Sequence, residues 1–119
     1  MTLRIFSATP EVWTIAPHGR LDLPASRAID DALTDLCAAG HARVVIDLSE
    51  VEYVASAGLK ALLTGARRAR LLAGDVRLAA PNDRVREVLE MSGFDQVFTI
   101  YVQPDVAVAS FAVGPGAAG

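Results

Sequence analysis

The chain has a single cysteine, Cys37, so no internal disulfide can staple it and its fold has to rest on an apolar core. Cys37 shares a helical spacing with Leu33 and Leu36, which reads as a buried, inert thiol in a reducing compartment. No apolar run approaches the roughly 18 residues of a membrane span. The start, Met1-Thr2-Leu3-Arg4-Ile5, is broken by charge and turn residues and does not read as a secretory leader. Positive charge is also scarce: 11 Lys and Arg stand against 14 Asp and Glu, a net charge of −3, where a nucleic-acid surface needs clustered cations. No Cys/His pair stands at metal-ligand spacing, and no glycine-rich loop could cradle a phosphate. These absences point to a soluble cytoplasmic protein with no nucleic-acid partner, no membrane contact, no metal and no cofactor.

What is present is a hydrophobic fraction of 52%, largely alanine, valine and leucine, in 119 residues, enough for one domain with a real core. That domain is expected over residues 1–112, followed by a tail, 113–119, whose Gly114-Pro115-Gly116-Ala117-Ala118-Gly119 has nothing to pack and reads as disordered. Leu3–Ser7 and Val12–Ala16 read as strands joined by Thr9-Pro10-Glu11, a hairpin. Asp22 caps a helix opened by Pro24, with Ala25, Ile29, Ala32, Leu33 and Leu36 on its buried stripe and Gly40 at its end. Arg43–Leu48 is a β-branched apolar run, the pattern of a strand covered on both faces. Ser56 opens a second helix with Leu59, Leu62, Leu63, Ala66 and Ala69 inside and Lys60, Arg67 and Arg70 outside; Gly74 closes it. A strand at Val76–Ala80, a short helix capped by Asn82 and ended by Gly93, a strand at Val97–Tyr101 and a helix from Pro104 to about Phe111 complete the chain. Strands alternating with helices give an α/β fold: a mixed, largely parallel sheet with an N-terminal hairpin strand, packed with about four helices.

The chemistry centres on Ala55-Ser56-Ala57-Gly58-Leu59, where a buried strand gives way to an amphipathic helix. A serine there sits at the positive end of a helix dipole, and it can be a cap, a nucleophile or a phosphate acceptor. Val54-Ala55-Ser56-Ala57-Gly58 superficially resembles a hydrolase elbow, but that order of residues needs a histidine downstream. Only His18 and His41 exist, both upstream and both read as surface residues of loops or turns. No enzyme is expected. Asp30, Asp31 and Asp35 read as a solvated helix face, Arg67, Arg68 and Arg70 as another, and Trp13 as core or rim packing. Asp47, ending a buried strand, is placed to satisfy amides of the turn that follows.

Four segments in register over Leu3–Phe111 resemble the STAS family, and within it the stand-alone anti-sigma factor antagonists of bacteria. They are Gly19-Arg20-Leu21-Asp22, Val44 to Val51, Tyr53 to Leu63 and Met91-Ser92-Gly93-Phe94. The resemblance implies a STAS-like domain that works by partner switching. Unphosphorylated, it would bind an anti-sigma factor with serine kinase activity. Phosphorylated at Ser56 it would let go, and a PP2C-type phosphatase would reset it. The family's Asp-Ser-Ser/Thr-Gly-Leu reads Ala55-Ser56-Ala57-Gly58-Leu59 here, so the acceptor remains while its acidic and second hydroxyl neighbours are alanines. The implied partner-binding residues are Gly19, Arg20, Asp22, Ala55, Ala57, Gly58, Leu59 and Lys60. Two other readings remain open: a STAS binding or scaffold module that is never phosphorylated, and a small-ligand sensor.

Overall fold

A computed structural model describes residues 2–112; Met1 and the tail 113–119, with the disorder expected of it, lie outside the described residues. The hairpin pattern at the start forms β1 (Thr2–Ser7) and β2 (Trp13–Leu21), antiparallel from Thr2 opposite His18 to Ser7 opposite Trp13. Asp22 then caps α1 (Leu23–Ala38): its carboxylate accepts the Ala25 N–H at 3.2 Å, and proline occupies the first turn. There follow β3 (Arg43–Asp47), β4 (Val51–Val54), α2 (Ser56–Leu71), β5 (Asp75–Ala79) and α3 (Asp83–Met91). A 3-10 turn (Phe94–Gln96), β6 (Ile100–Tyr101) and α4 (Pro104–Ser110) complete the described chain. Asn82 caps α3 as its position implied, accepting the Val85 N–H at 2.8 Å.

The strands lie in the order β1-β2-β3-β5-β6, with β4 paired to β2, and every pairing except β1 with β2 is parallel. β3 is apolar without alternation because both its faces are covered. Val44 and Ile46 join Ile15, Leu21, Val76 and Leu78 under Ile29 and Leu33 of α1, Leu62 and Ala66 of α2, and Val85 and Leu89 of α3. Val45, on the other face, packs with Val12, Ala79, Ala107 and Phe111, so the alanine-rich α4 serves as the cover of that side.

Three boundaries depart from the sequence pattern. β2 runs on to Leu21, so His18, Gly19 and Arg20 are strand residues rather than a loop. Its last part pairs with β4, an element the pattern does not announce: Val51 and Val54 are buried, but Glu52 and Tyr53 between them are both exposed. The register slips at Gly19/Arg20, which hides the period of two, and Gly19 takes a φ of +97° there, a region costly for other residues. The last strand is shorter than Val97–Tyr101. Phe98 turns inward onto Phe94, ring centroids 5.5 Å apart, and only Ile100 and Tyr101 pair with β5.

Candidate functional site

The end of β2, the end of β4 and the start of α2 are joined by one hydrogen bond, from the Ala55 N–H to the Leu21 carbonyl at 3.0 Å. This bond holds Ala55 in the extended cap conformation (φ −88°, ψ 169°), and the helix's own ladder begins with Leu59 N–H to Ala55 O at 3.1 Å. The first-turn amides of Ser56, Ala57 and Gly58 therefore lie outside that ladder. Ser56 is thus not the cap of α2, contrary to one of its three sequence readings. It is the first helical residue, exposed, and its hydroxyl makes no hydrogen bond among the described residues. The alanine at the cap offers no side-chain acceptor, and the first turn carries no acid.

The small residues after Ser56 have different reasons. A Cβ on Gly58 would stand 2.8 Å from the Leu21 carbonyl oxygen and 3.0 Å from Leu21 Cβ, so Gly58 is buried and lets the helix approach the sheet. Leu59 is half-buried against the core and anchors the same turn. Of the eight expected partner-binding positions Gly58 alone is fully buried, and Leu59 is half-buried like Gly19, Ala55 and Ala57. Ala57, half-buried, lines a shallow groove between α1 and α2 with Leu23, Ser26, Arg27, Asp30, Lys60, Ala61 and Thr64. Ser56, Lys60, Arg20 and Asp22 are exposed, while Ala55 and Gly19 are half-buried.

One residue carried no role in the sequence reading and acquires one here. Tyr53 is exposed on β4 directly opposite Arg20, whose guanidinium lies over its ring at 5.0 Å from the centroid. The only available signal was an exposed aromatic close before the helix; its pairing to Arg20 depends on the slipped register.

Other candidates resolve into packing and ion pairs. His41 is not a free turn residue, since it is half-buried and its ring packs at a tilt against Trp13 with centroids 5.0 Å apart, which makes Trp13 the rim packing expected of it. It precedes β3 whereas Ser56 follows β4, so in this parallel sheet the two stand at opposite ends. His18 lies 4.0 Å from Glu50. Asp47 accepts the Ser49 N–H at 3.0 Å, as its place at a strand end implied. The basic face of α2 is not simply solvated: Arg68 reaches Thr34 and Asp30, and Arg70 binds Asp75 at 2.9 Å and the Val97 carbonyl at 2.8 Å. Cys37 is buried, and burial pushes its thiol pKa up against a smaller downward pull from Arg68. Among the described residues no cluster of three His, Cys, Asp or Glu could hold a metal, and no helix is long and apolar enough to cross a membrane.

The family model described as Mlab, STAS domain, matches residues 6–103. Over 72 residues the chain is 39% identical to BtrV of Bordetella bronchiseptica, which carries the name anti-sigma factor antagonist; the alignment takes in 60% of this chain and 62% of that one. The chain thus spans less than two thirds of the length of that curated relative. An anti-sigma factor antagonist from Mycobacterium paratuberculosis superposes with a TM-score of 0.81 at 26% identity, over 92% of each chain. The Bacillus cell fate determinant SpoIIAA in its phosphorylated form superposes with a TM-score of 0.74 at 20% identity, over 92% of this chain and 99% of that one.

Proposed function

Because this chain belongs to the STAS domain family, we propose that it is an anti-sigma factor antagonist of the partner-switching kind, built as one domain over residues 1–112. Unphosphorylated, it binds an anti-sigma factor that is also a serine kinase. The kinase then transfers the γ-phosphoryl group of ATP to Ser56. The Oγ–P bond forms, the bond from the γ-phosphorus to its bridging oxygen breaks, ADP leaves, and the hydroxyl proton passes to a base of the kinase. A PP2C-type phosphatase returns Ser56 to the hydroxyl form by hydrolysis. The protein itself works in the cytoplasm as a binding protein without turnover of its own.

The observation that carries this reading is Ser56 itself: exposed, first in α2, and with a hydroxyl that makes no hydrogen bond among the described residues; the resemblance to the family supplies its reading as the acceptor. A phosphate there adds about −1.5 to −2 charges at pH 7. The helix dipole favours that charge by about 0.3–1 kcal/mol, so the fold tolerates it. An interface formed against a neutral hydroxyl has to desolvate the dianion and separates. Arg20, Asp22 and Lys60 are the exposed side chains that such a partner meets, with Gly19, Ala55 and Ala57 as the small residues that let it approach. Gly58 and Leu59 shape this surface from beneath.

Ala55 favours a second reading. The alanine leaves no acid beside the acceptor, which suits a binding or scaffold module that is never phosphorylated. Incubation of the full chain with candidate anti-sigma serine kinases and ATP, followed by intact-mass and peptide mapping, separates the two. One phosphate on the Ser56 peptide, absent in Ser56→Ala, supports the switch. A kinase that binds the chain tightly yet leaves it unmodified supports the module.

A further inference from the structure

Lys60 stands one helical turn after Ser56, the spacing at which two side chains of a helix face each other. Both are exposed, and Lys60 forms no ion pair among the described residues. The first turn of α2 has no acid to compete for its ammonium, and Asp30, which lines the same groove from α1, pairs with Arg68 at 3.8 Å. Other cations of this region are committed: the Arg20 guanidinium lies over the Tyr53 ring, and Arg68 is held by Thr34 and Asp30. Arg27 is the exception. It lines the α1–α2 groove together with Lys60, also without an ion pair among the described residues.

Resting on the reading of Ser56 as the phosphate acceptor, we propose that Lys60 is the counter-ion of the phosphoserine. On modification its ammonium closes onto the phosphate. The modification then changes the surface twice, placing a dianion at the head of α2 and withdrawing a free cation from the groove beside it. The order of the pair is the favourable one, with the anion N-terminal to the lysine and at the positive end of the helix. Lys60 wins over Arg27 because both members of the pair sit on one rigid helix, whereas Arg27 must reach across the groove from α1. A partner that meets the unmodified surface meets the Lys60 charge; after phosphorylation that charge is already taken.

The test is a phosphorus-31 NMR pH titration of the full chain carrying phosphoserine installed at position 56 during synthesis. Lys60→Gln raises the second pKa of the phosphate by about 0.3 units, the size expected of one i,i+4 ion pair. Lys60→Arg restores it, Arg27→Gln leaves it in place, and circular dichroism shows all four proteins equally folded. The Lys60 effect shrinks in about 1 M salt, where screening is nearly complete. A phosphate pKa unchanged in Lys60→Gln overturns the pairing, and so does a shift that appears in Arg27→Gln instead. Because the phosphate is installed without a kinase, failure here sinks the Lys60 assignment alone, whereas failure of kinase labelling sinks the acceptor reading on which that assignment rests.

Discussion

The Arg20 guanidinium lies 5.0 Å from the centroid of the Tyr53 ring, clamping the last residues of β2 to β4 immediately before the chain turns into α2. An exposed pair of this kind contributes about 0.5–1 kcal/mol to the fold, and it presents a planar cation beside the Ser56 surface. Arg20→Ala should therefore cost no more than about 1 kcal/mol in chemical denaturation. It should weaken binding of the proposed anti-sigma partner, measured by calorimetric titration, well beyond that loss of stability. Equal binding would place Arg20 outside the interface.

Charge at position 56 is the direct test of the switch. Because the Ser56 hydroxyl caps nothing, Ser56→Ala should change stability by less than about 0.5 kcal/mol. That variant should still bind the partner while taking up no phosphate. Ser56→Asp should be as stable as the wild type or more so, by about 0.3–1 kcal/mol from the helix dipole, and should bind far more weakly. A binding titration matched to thermal melts reads both effects.

The missing cap at Ala55 makes a stability prediction of opposite sign to most substitutions. Ala55→Asp places an acceptor where the backbone already has the cap conformation, and should raise stability by about 0.5–2 kcal/mol. It also restores the acid that the STAS resemblance places before Ser56. Faster phosphorylation of this variant under one fixed kinase concentration would show that Ala55 limits the wild-type reaction.

Gly58→Ala should destabilise the protein despite alanine's better helix propensity. The added methyl meets the Leu21 carbonyl oxygen at 2.8 Å, a backbone atom held by the Ala55 hydrogen bond, so the helix start has to shift. Overpacking of this kind costs about 1–3 kcal/mol, against a propensity gain of about 1. Urea denaturation reads the net loss, and an unchanged midpoint would show that α2 can move away from the sheet freely.

Cys37 supplies a pH dependence. Burial raises its pKa in the folded chain, so the thiolate forms first in the unfolded chain as pH rises past the ordinary thiol value of about 8.5. Stability from this group is whole below that pH and declines above it, and Cys37→Ser should flatten the decline. Thiol labelling of the native protein near pH 7.5 should be slow and should accelerate on unfolding.

Much of this architecture is written in local pattern. The stripe from Ala25 to Leu36, the unbroken Arg43–Leu48 run and the caps at Asp22 and Asn82 each follow from periods and backbone preferences that act over a few residues. They suffice for the α/β class, the covered central strand and the place of the candidate site. Tertiary contacts decided the rest. β4 exists because the end of β2 offers it partners through a slipped register, and neither Glu52 nor Tyr53 alternates as a strand residue should. Ala55, not Ser56, takes the cap position of α2 because the Leu21 carbonyl holds its amide, a bond between residues 34 positions apart. Gly58 is small for the Leu21 backbone beneath it, and Arg68 and Arg70 are bound by groups on other elements. Sequence patterns carry periodicity and local capping, whereas register and the choice of partner across the sheet are settled only when distant segments meet.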